Sequence, residues 1–208
     1  MFTGIIAAIG RIESITPLGS TDDAGVRLRI HAGRLPLSDV QLGDSIAIQG
    51  ACMTVIEKSD AHFSVDVSRE SLSKTMGLSQ SGEVNLEKAL TLADRLGGHL
   101  VTGHVDGLGT VTVFEQVGES WHLALRVPDF LKKYFAYKGS ATINGTSLTV
   151  NQVRDETTGT EIDINLIPHT VEMTTLKHLK PGVQVNVEID LIARYVERMV
   201  SNQRIDNT

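Results

Sequence analysis

The segment VQVNVEID (183–190) alternates from end to end: Val183, Val185, Val187 and Ile189 fall on one side and polar residues on the other. Successive strand side chains point to opposite faces, so this period predicts a strand with one buried and one wet face. VRLRI (26–30), FSVDV (63–67), HLALRV (122–127) and EIDINL (161–166) share it. LGD, YKG and KPG punctuate the runs as turns. Many short strands at this spacing predict an all-β chain, a sandwich or a small closed barrel.

A helical period surfaces in three places. LEKALTLADRLGG (86–98) puts Leu86, Ala89, Leu90, Ala93 and Leu96 on one helical face, with Gly97 and Gly98 as a stop. It predicts a connecting helix at mid-chain. PDFLKKYFAYKG (128–139) predicts one or two helical turns. DLIARYVERMVSNQR (190–204) carries a stripe of Leu191, Ile192, Tyr195, Val196, Met199 and Val200, with Arg194, Glu197 and Arg198 opposite. Asp190 suits the N-cap of this helix.

The pattern occurs twice. MFTGIIAAIG (1–10) aligns with LVTGHVDGLG (100–109), so that Gly4 meets Gly103, 99 residues on. SIAIQGACMTV (45–55) aligns with SATINGTSLTV (140–150), FSVDVSRESLSKT (63–75) with IDINLIPHTVEMT (162–174), and GEVNLE (82–87) with GVQVNVE (182–188). Four blocks in one order imply tandem duplication of a small domain-sized module. The units are 1–97, 98–190 and a tail, 191–208. The tail stripe lies beyond the repeat, where neither module needs it, and this predicts contact with copies of itself.

Composition narrows the function. The 208 residues are 41% hydrophobic and carry a net charge of −6, with no basic block. That speaks against a nucleic-acid partner. The one cysteine, Cys52, forbids an intrachain disulfide and is compatible with a reducing cytoplasm. There is no run of about 18 apolar residues, so no membrane helix is expected. The N-terminus lacks the basic start and sustained apolar core of a signal peptide.

GGHLVTGHVDG (97–107) holds the most chemistry. His99 and His104 are five apart, which stacks ligands neither on a helix nor on one strand face, and no third ligand is in sight. No metal is expected. There is no GxGxxG dinucleotide fingerprint either. His104 replaces Ile5 of the first module, so folding does not demand a histidine there. Cys52 stands opposite Ser147, and Thr54 opposite Thr149. The heteroatom at the first of these positions is read either as a small buried group or as one facing a ligand. Ser147 lacks the GxSxG setting of a hydrolase.

MFTGI, GGHLVTGHVDG, NGTSLTV (144–150), LIPHT (166–170) and VNVEID (185–190), in this order, resemble the riboflavin synthase family of the α-chain type. The resemblance implies two tandem homologous six-stranded antiparallel Greek-key barrels plus a C-terminal α-helix, assembled as a homotrimer. It implies dismutation of two 6,7-dimethyl-8-ribityllumazine molecules to riboflavin and 5-amino-6-(D-ribitylamino)uracil. No cofactor is implied, and lumazine synthase is an implied candidate partner. Carried over by position, one pocket takes Gly4, Ile5, Ile6, Cys52, Met53, Thr54, Asp66, Val67, Ser68, Arg69, Glu70 and Ser71. The other takes Gly103, His104, Val105, Ser147, Leu148, Thr149, Asn165, Leu166, Ile167, Pro168, His169 and Thr170. Lys138 reaches in from a neighbouring chain. His104 is the candidate for proton transfer, because imidazole titrates near neutral pH. Cys52 and Ser147 are candidates for positioning the ring or adding to it, and Thr149 for assisting. The family's non-catalytic branch, the lumazine proteins, degrades GGHLVTGH and SLTV; both stand intact here, which favours an enzyme.

Overall fold

A computed structural model describes residues 1–21, 23–156 and 159–205. Twelve strands form two closed barrels. The first contains β1 (Ala8–Pro17), β2 (Val26–His31), β3 (Ser45–Ile48), β4 (Ala51–Lys58), β5 (His62–Val67) and β6 (Gly82–Lys88). The second contains β7 (Gly107–Val117), β8 (Ser120–Val127), β9 (Ser140–Ile143), β10 (Thr146–Glu156), β11 (Gly159–Leu166) and β12 (Gln184–Ile189). The order around the first is β1-β2-β5-β4-β3-β6, and the second repeats it as β7-β8-β11-β10-β9-β12, every pairing antiparallel. The duplication extends to irregularities. Register shifts fall at Ile12/Ser14 and Val111/Val113, and again at Val55/Glu57 and Val150/Gln152. Each barrel closes over its own core of Val, Ile and Leu, the outcome expected of a chain with few aromatic residues.

The polar faces of β6 and β12 are not wet, contrary to the alternation argument. Asn85 and Asn186 are each 1% exposed, and Glu188 is 3% exposed. These faces meet where the barrels pack. Asn85 Nδ2 donates to the Asn144 carbonyl (2.8 Å), and Asn186 Nδ2 donates to the Gln49 carbonyl (2.9 Å). Asn85 Oδ1 accepts from the Thr175 amide and Asn186 Oδ1 from the Met76 amide. The two buried asparagine side chains thus have partners at both ends, which offsets their desolvation. Gly50 and Gly145 lie back to back in the same seam. A Cβ on Gly50 would stand 2.6 Å from the Gly145 nitrogen.

The expected connecting helix over 86–98 does not form. Leu86 belongs to β6, paired with Ala8 and Ile48. The Ala89 and Leu90 amides donate to the Ser45 and Met1 carbonyls, so the helical hydrogen bonds cannot start. Asp94 instead closes a turn on the Thr91 amide and hydroxyl. Leu92 and Leu96 stay exposed: the helical period had no surface to bury against.

Two short helices follow β5 and β11 directly. α1 (Arg69–Lys74) is capped by Ser68, whose Oγ accepts from the Ser71 amide at 3.1 Å. α2 (Pro168–Glu172) starts on a proline. The turns expected in 128–139 appear as a 3₁₀ segment, Asp129–Tyr134. α3 (Leu191–Ile205) forms as expected, with Asp190 Oδ1 accepting from the Ile192 amide at 2.8 Å; the last three tail residues, 206–208, lie outside the described residues. Arg194 grips Asp106 (2.7 and 2.9 Å), and Glu197 binds Lys133. The stripe stays bare on this chain, with Ile192 62%, Tyr195 61% and Met199 67% exposed. No described helix is long and apolar enough to cross a membrane.

Candidate functional site

Two straps lead into the barrels, 1–7 before β1 and 98–106 before β7. They run side by side through the seam: the Phe2 amide donates to the Val101 carbonyl (2.7 Å) and the Val101 amide returns the bond (3.0 Å). Each then crosses to the other barrel. The Ser147 amide donates to the Gly4 carbonyl (2.7 Å), and the Cys52 amide donates to the Gly103 carbonyl (2.8 Å). Gly4 and Gly103 have φ of 76° and 78°, a conformation that favours glycine. There is no room for a side chain either: a Cβ on Gly4 would stand 2.6 Å from Ser147 Cβ, and one on Gly103 2.7 Å from Cys52 Cβ.

This crossing regroups the candidates. Gly103, His104 and Val105 join Cys52, Thr54 and Asp66, whereas Gly4, Ile5 and Ile6 join Ser147, Thr149 and Asn165. The grouping by linear module placed these straps the other way round, because a module read along the chain gives no hint that its first residues leave it. His104 and Cys52 thereby share one face.

At the Cys52 face, Thr54 and Asp66 flank the Val55–Val65 pair on the outside of the barrel. Arg27 Nε and Nη2 donate to the two Asp66 oxygens (2.8 and 3.0 Å), holding that carboxyl below its ordinary value. Ser68 and Ser71 hydroxyls lie 3.0 Å apart at the start of α1, followed by Arg69 and by Glu70 paired with Lys74. His104 is exposed, and Cys52 is partly exposed against Phe2, Val101 and Ala47.

At the Ser147 face, Thr149 and Asn165 flank the Val150–Ile164 pair. Ile167, Pro168, His169 and Thr170 follow at the start of α2. Sequence reading missed the role of His99 here. Its Nδ1 lies 2.7 Å from Ser147 Oγ and its Nε2 3.2 Å from Thr142 Oγ1. Burial lowers its pKa, against the opposing pull of the Asp190 charge, so the ring is favoured neutral. A neutral ring has one donor and one acceptor, and relays a hydrogen bond between the two hydroxyls. The signal was available: Cys52 and Ala47 replace Ser147 and Thr142 in the first module, so both hydroxyls are peculiar to the second.

Met53, Val67, Leu148 and Leu166 point into the cores, so they can offer a ligand only their backbone. Lys138 is exposed, and its Nζ donates to Asn151 Oδ1 (3.0 Å). A cavity of about 620 Å³ opens beside the first strap, lined by Thr3, Ile5, Ser45 and Glu87 but by none of Cys52, His104, Ser147 or Thr149. Thr54 and His104 on one face and Thr149 and Asn165 on the other are exposed, so both faces are open on a single chain. Among the described residues, no cluster of His, Cys, Asp or Glu could hold a metal.

The lumazine-binding domain family model matches twice, at residues 3–89 and 102–190. The chain is 43% identical to the riboflavin synthase of Photobacterium phosphoreum, over 96% of this chain and 89% of that protein. It is 43% identical to that of Brucella abortus (strain 2308), over 98% and 100%, and 37% identical to that of Bacillus subtilis (strain 168), over 100% and 94%. Among solved structures it is similar to LumP complexed with riboflavin, with a TM-score of 0.75 and 26% identity over 91% of this chain and 99% of that one. It is also similar to LumP complexed with 6,7-dimethyl-8-(1'-D-ribityl) lumazine, with a TM-score of 0.73 and 26% identity over 90% and 98%.

Proposed function

The chain belongs to the lumazine-binding domain family and has the activity of its riboflavin synthases; from that premise we propose how its two faces divide the work. The reaction joins two molecules of 6,7-dimethyl-8-ribityllumazine. One gives a four-carbon unit to the other, yielding riboflavin and 5-amino-6-(D-ribitylamino)uracil. The two products together contain the atoms of the two substrates, so no oxidant or reductant enters the balance. Identity of 37–43% to synthases, against 26% to LumP, favours catalysis over storage of a chromophore.

The observation that carries the reading is the pair of crossed faces. Two identical substrates need two related sites, and duplication supplies them. Holding both substrates in register makes a bimolecular step effectively unimolecular, worth up to about 7–11 kcal/mol in ideal geometry. Gly103, His104, Val105, Cys52, Met53, Thr54, Asp66, Val67, Ser68, Arg69, Glu70 and Ser71 form one site. Gly4, Ile5, Ile6, Ser147, Leu148, Thr149, Asn165, Leu166, Ile167, Pro168, His169 and Thr170 form the other.

The chemistry takes a proton from a ring methyl of one lumazine and forms a carbon–carbon bond at an activated ring carbon of its partner. His104 transfers the proton. Cys52 holds the ring beside it or adds to it reversibly. Ser147, oriented by His99, and Thr149 do the corresponding work on the second molecule. Ile5, standing where His104 stands, leaves that site without an imidazole on its strap, and this separates donor from acceptor.

Because each face is open on one chain, the two substrates meet between chains, with Lys138 supplied by a neighbour. A homotrimer built on the bare α3 stripe accomplishes this. The units 1–97, 98–190 and 191–208 serve as two lumazine-binding barrels and an assembly helix. The reaction runs in the cytoplasm, where the lone thiol stays reduced, and lumazine synthase is the partner that could deliver substrate. Incubating the purified protein with 6,7-dimethyl-8-ribityllumazine alone and following riboflavin tests the reading. Bound, unchanged lumazine would overturn it.

A further inference from the structure

Two carboxylates lie at the root of the straps, and no step of the reaction uses them. Glu87 Oε1 accepts from the Thr3 amide (2.6 Å) and hydroxyl (2.7 Å), and its Oε2 accepts from the Gly4 amide (3.0 Å). Glu188 repeats this with the Thr102 amide (2.7 Å), the Thr102 hydroxyl (2.8 Å) and the Gly103 amide (2.9 Å). Both acids are buried. Burying a carboxylate is costly unless its oxygens are well satisfied. Finding the same costly arrangement in both halves indicates a geometric requirement, beyond what barrel closure needs.

The crossing says what is being held. Glu188 stands on the last strand of the second barrel, but the strap it grips presents Gly103 and His104 to Cys52 of the first. Glu87 stands on the last strand of the first barrel, but its strap presents Gly4 and Ile5 to Ser147 of the second. We propose that Glu87 and Glu188 are positioning residues that act in exchange, each fixing the strap that completes the site of the opposite barrel. The proposal rests on the assignment of the two faces as substrate sites. Its consequence is that neither site exists without both barrels, and that each can be loosened separately through a residue that touches no substrate.

Glutamine at either position keeps the shape but offers one acceptor oxygen and an amide group that donates, facing three donors. The strap should drift. Thr3→Val and Thr102→Val are milder: each removes one hydrogen bond to the same carboxylate. Cys52 is the only cysteine in the chain, so alkylation of its thiol reports on one site. The test measures the iodoacetamide rate with and without saturating riboflavin, together with kcat and KM. In the unaltered protein riboflavin should slow alkylation at least tenfold. Absence of that protection would overturn the site assignment itself. In Glu87→Gln and Thr3→Val the protection should persist, with the loss falling on KM. In Glu188→Gln it should shrink at least fivefold, and kcat should fall at least tenfold as His104 loses its place; Thr102→Val should move both the same way and decides the matter should Glu188→Gln not fold. Equal loss of protection in the two glutamine variants would overturn the exchange and leave two ordinary structural acids. Undiminished protection in both Glu188→Gln and Thr102→Val would overturn it as well.

Discussion

His104 and His99 illustrate two ways a histidine enters this site. His104 is exposed on a strap, and Ile5 takes its place in the equivalent strap, so its removal should leave the fold intact. His104→Ala should lower turnover about 100- to 10,000-fold, the range of a lost acid–base group, with an unchanged circular dichroism spectrum. Normal turnover would take it out of the mechanism. His99 is partly buried between two hydroxyls. Its folded pKa is lowered, so its contribution to stability is present above the unfolded value and is lost as pH falls through the folded one. Acidifying from about pH 7 to about pH 5 should therefore lower the melting temperature of the unaltered protein more than that of His99→Asn. Parallel melting curves would mean that the ring titrates no differently once folded. His99→Asn can keep a polar atom near the Nδ1 position and with it the bond to Ser147, and His99→Gln one near Nε2, toward Thr142. If Ser147 is what the ring orients, the asparagine variant should retain the higher kcat; the reverse order would assign His99 to the seam alone. The sequence displayed both histidines in one short stretch. It could not show that His99 meets residues 142 and 147, because those partners lie 43 and 48 residues further along the chain.

At the level of elements, the strands were legible because alternation is a local consequence of a barrel wall with two faces. FSVDV and EIDINL appear as strands with Phe63, Val65, Val67, Ile162, Ile164 and Leu166 inward. The errors share a cause. A period tells that a face is shared, not what lies opposite it. VQVNVEID keeps its period, but its polar face is covered, at Asn186 by the other barrel and at Glu188 by the strap through Thr102 and Gly103. The mid-chain stretch has a helical period with nothing to pack on, and its first residues are claimed by β6. Short helices such as α1 and α2 hold too few residues for a period; only Ser68 and Pro168 marked them. α3 is the reverse case: its stripe was legible, and on this chain it is bare. Ending the chain after Asp190 should leave both barrels folded and weaken the trimer proposed above, since it removes an apolar face that has no partner within its own chain. Sedimentation velocity reads this directly. An unchanged trimer would place the contact elsewhere. The truncation also removes Arg194 from Asp106, a salt bridge between partly buried groups, so a modest loss of barrel stability should accompany it.

At the scale of the whole molecule, duplication made two barrels, and the crossed straps made them one unit. That constrains what half of the chain can do. Residues 1–97 contain all six strands of the first barrel and the first strap, but not Gly103, His104 or Glu188. Alone, this half has a Cys52 face without its cover and a strap without its seat. The geometry offers a remedy. Gly4 and Gly103 share one backbone conformation, and Gln49 stands where Asn144 stands in the repeat. A strap from one copy can therefore lie on Cys52 of a second copy, while the seam contact of Asn85 is re-made against Gln49 of that copy. The fragment should form a reciprocal dimer whose two sites each combine Cys52 with a borrowed Gly4–Ile5 strap. Such a dimer should bind riboflavin at both sites, because the Thr54, Asp66 and Ser68–Ser71 surface is complete in each. It should turn over substrate hardly at all, because Ile5 lies where His104 is needed and Ser147 is missing. Ultracentrifugation gives the assembly state, fluorescence titration the binding, and riboflavin release from 6,7-dimethyl-8-ribityllumazine the turnover. A monomer that binds as tightly as the whole chain would show that a strap from elsewhere is not needed to finish the site. Turnover near that of the whole chain would show that two copies of the first site suffice, and that the divergence of Ile5 and His104 after duplication did not divide the chemistry.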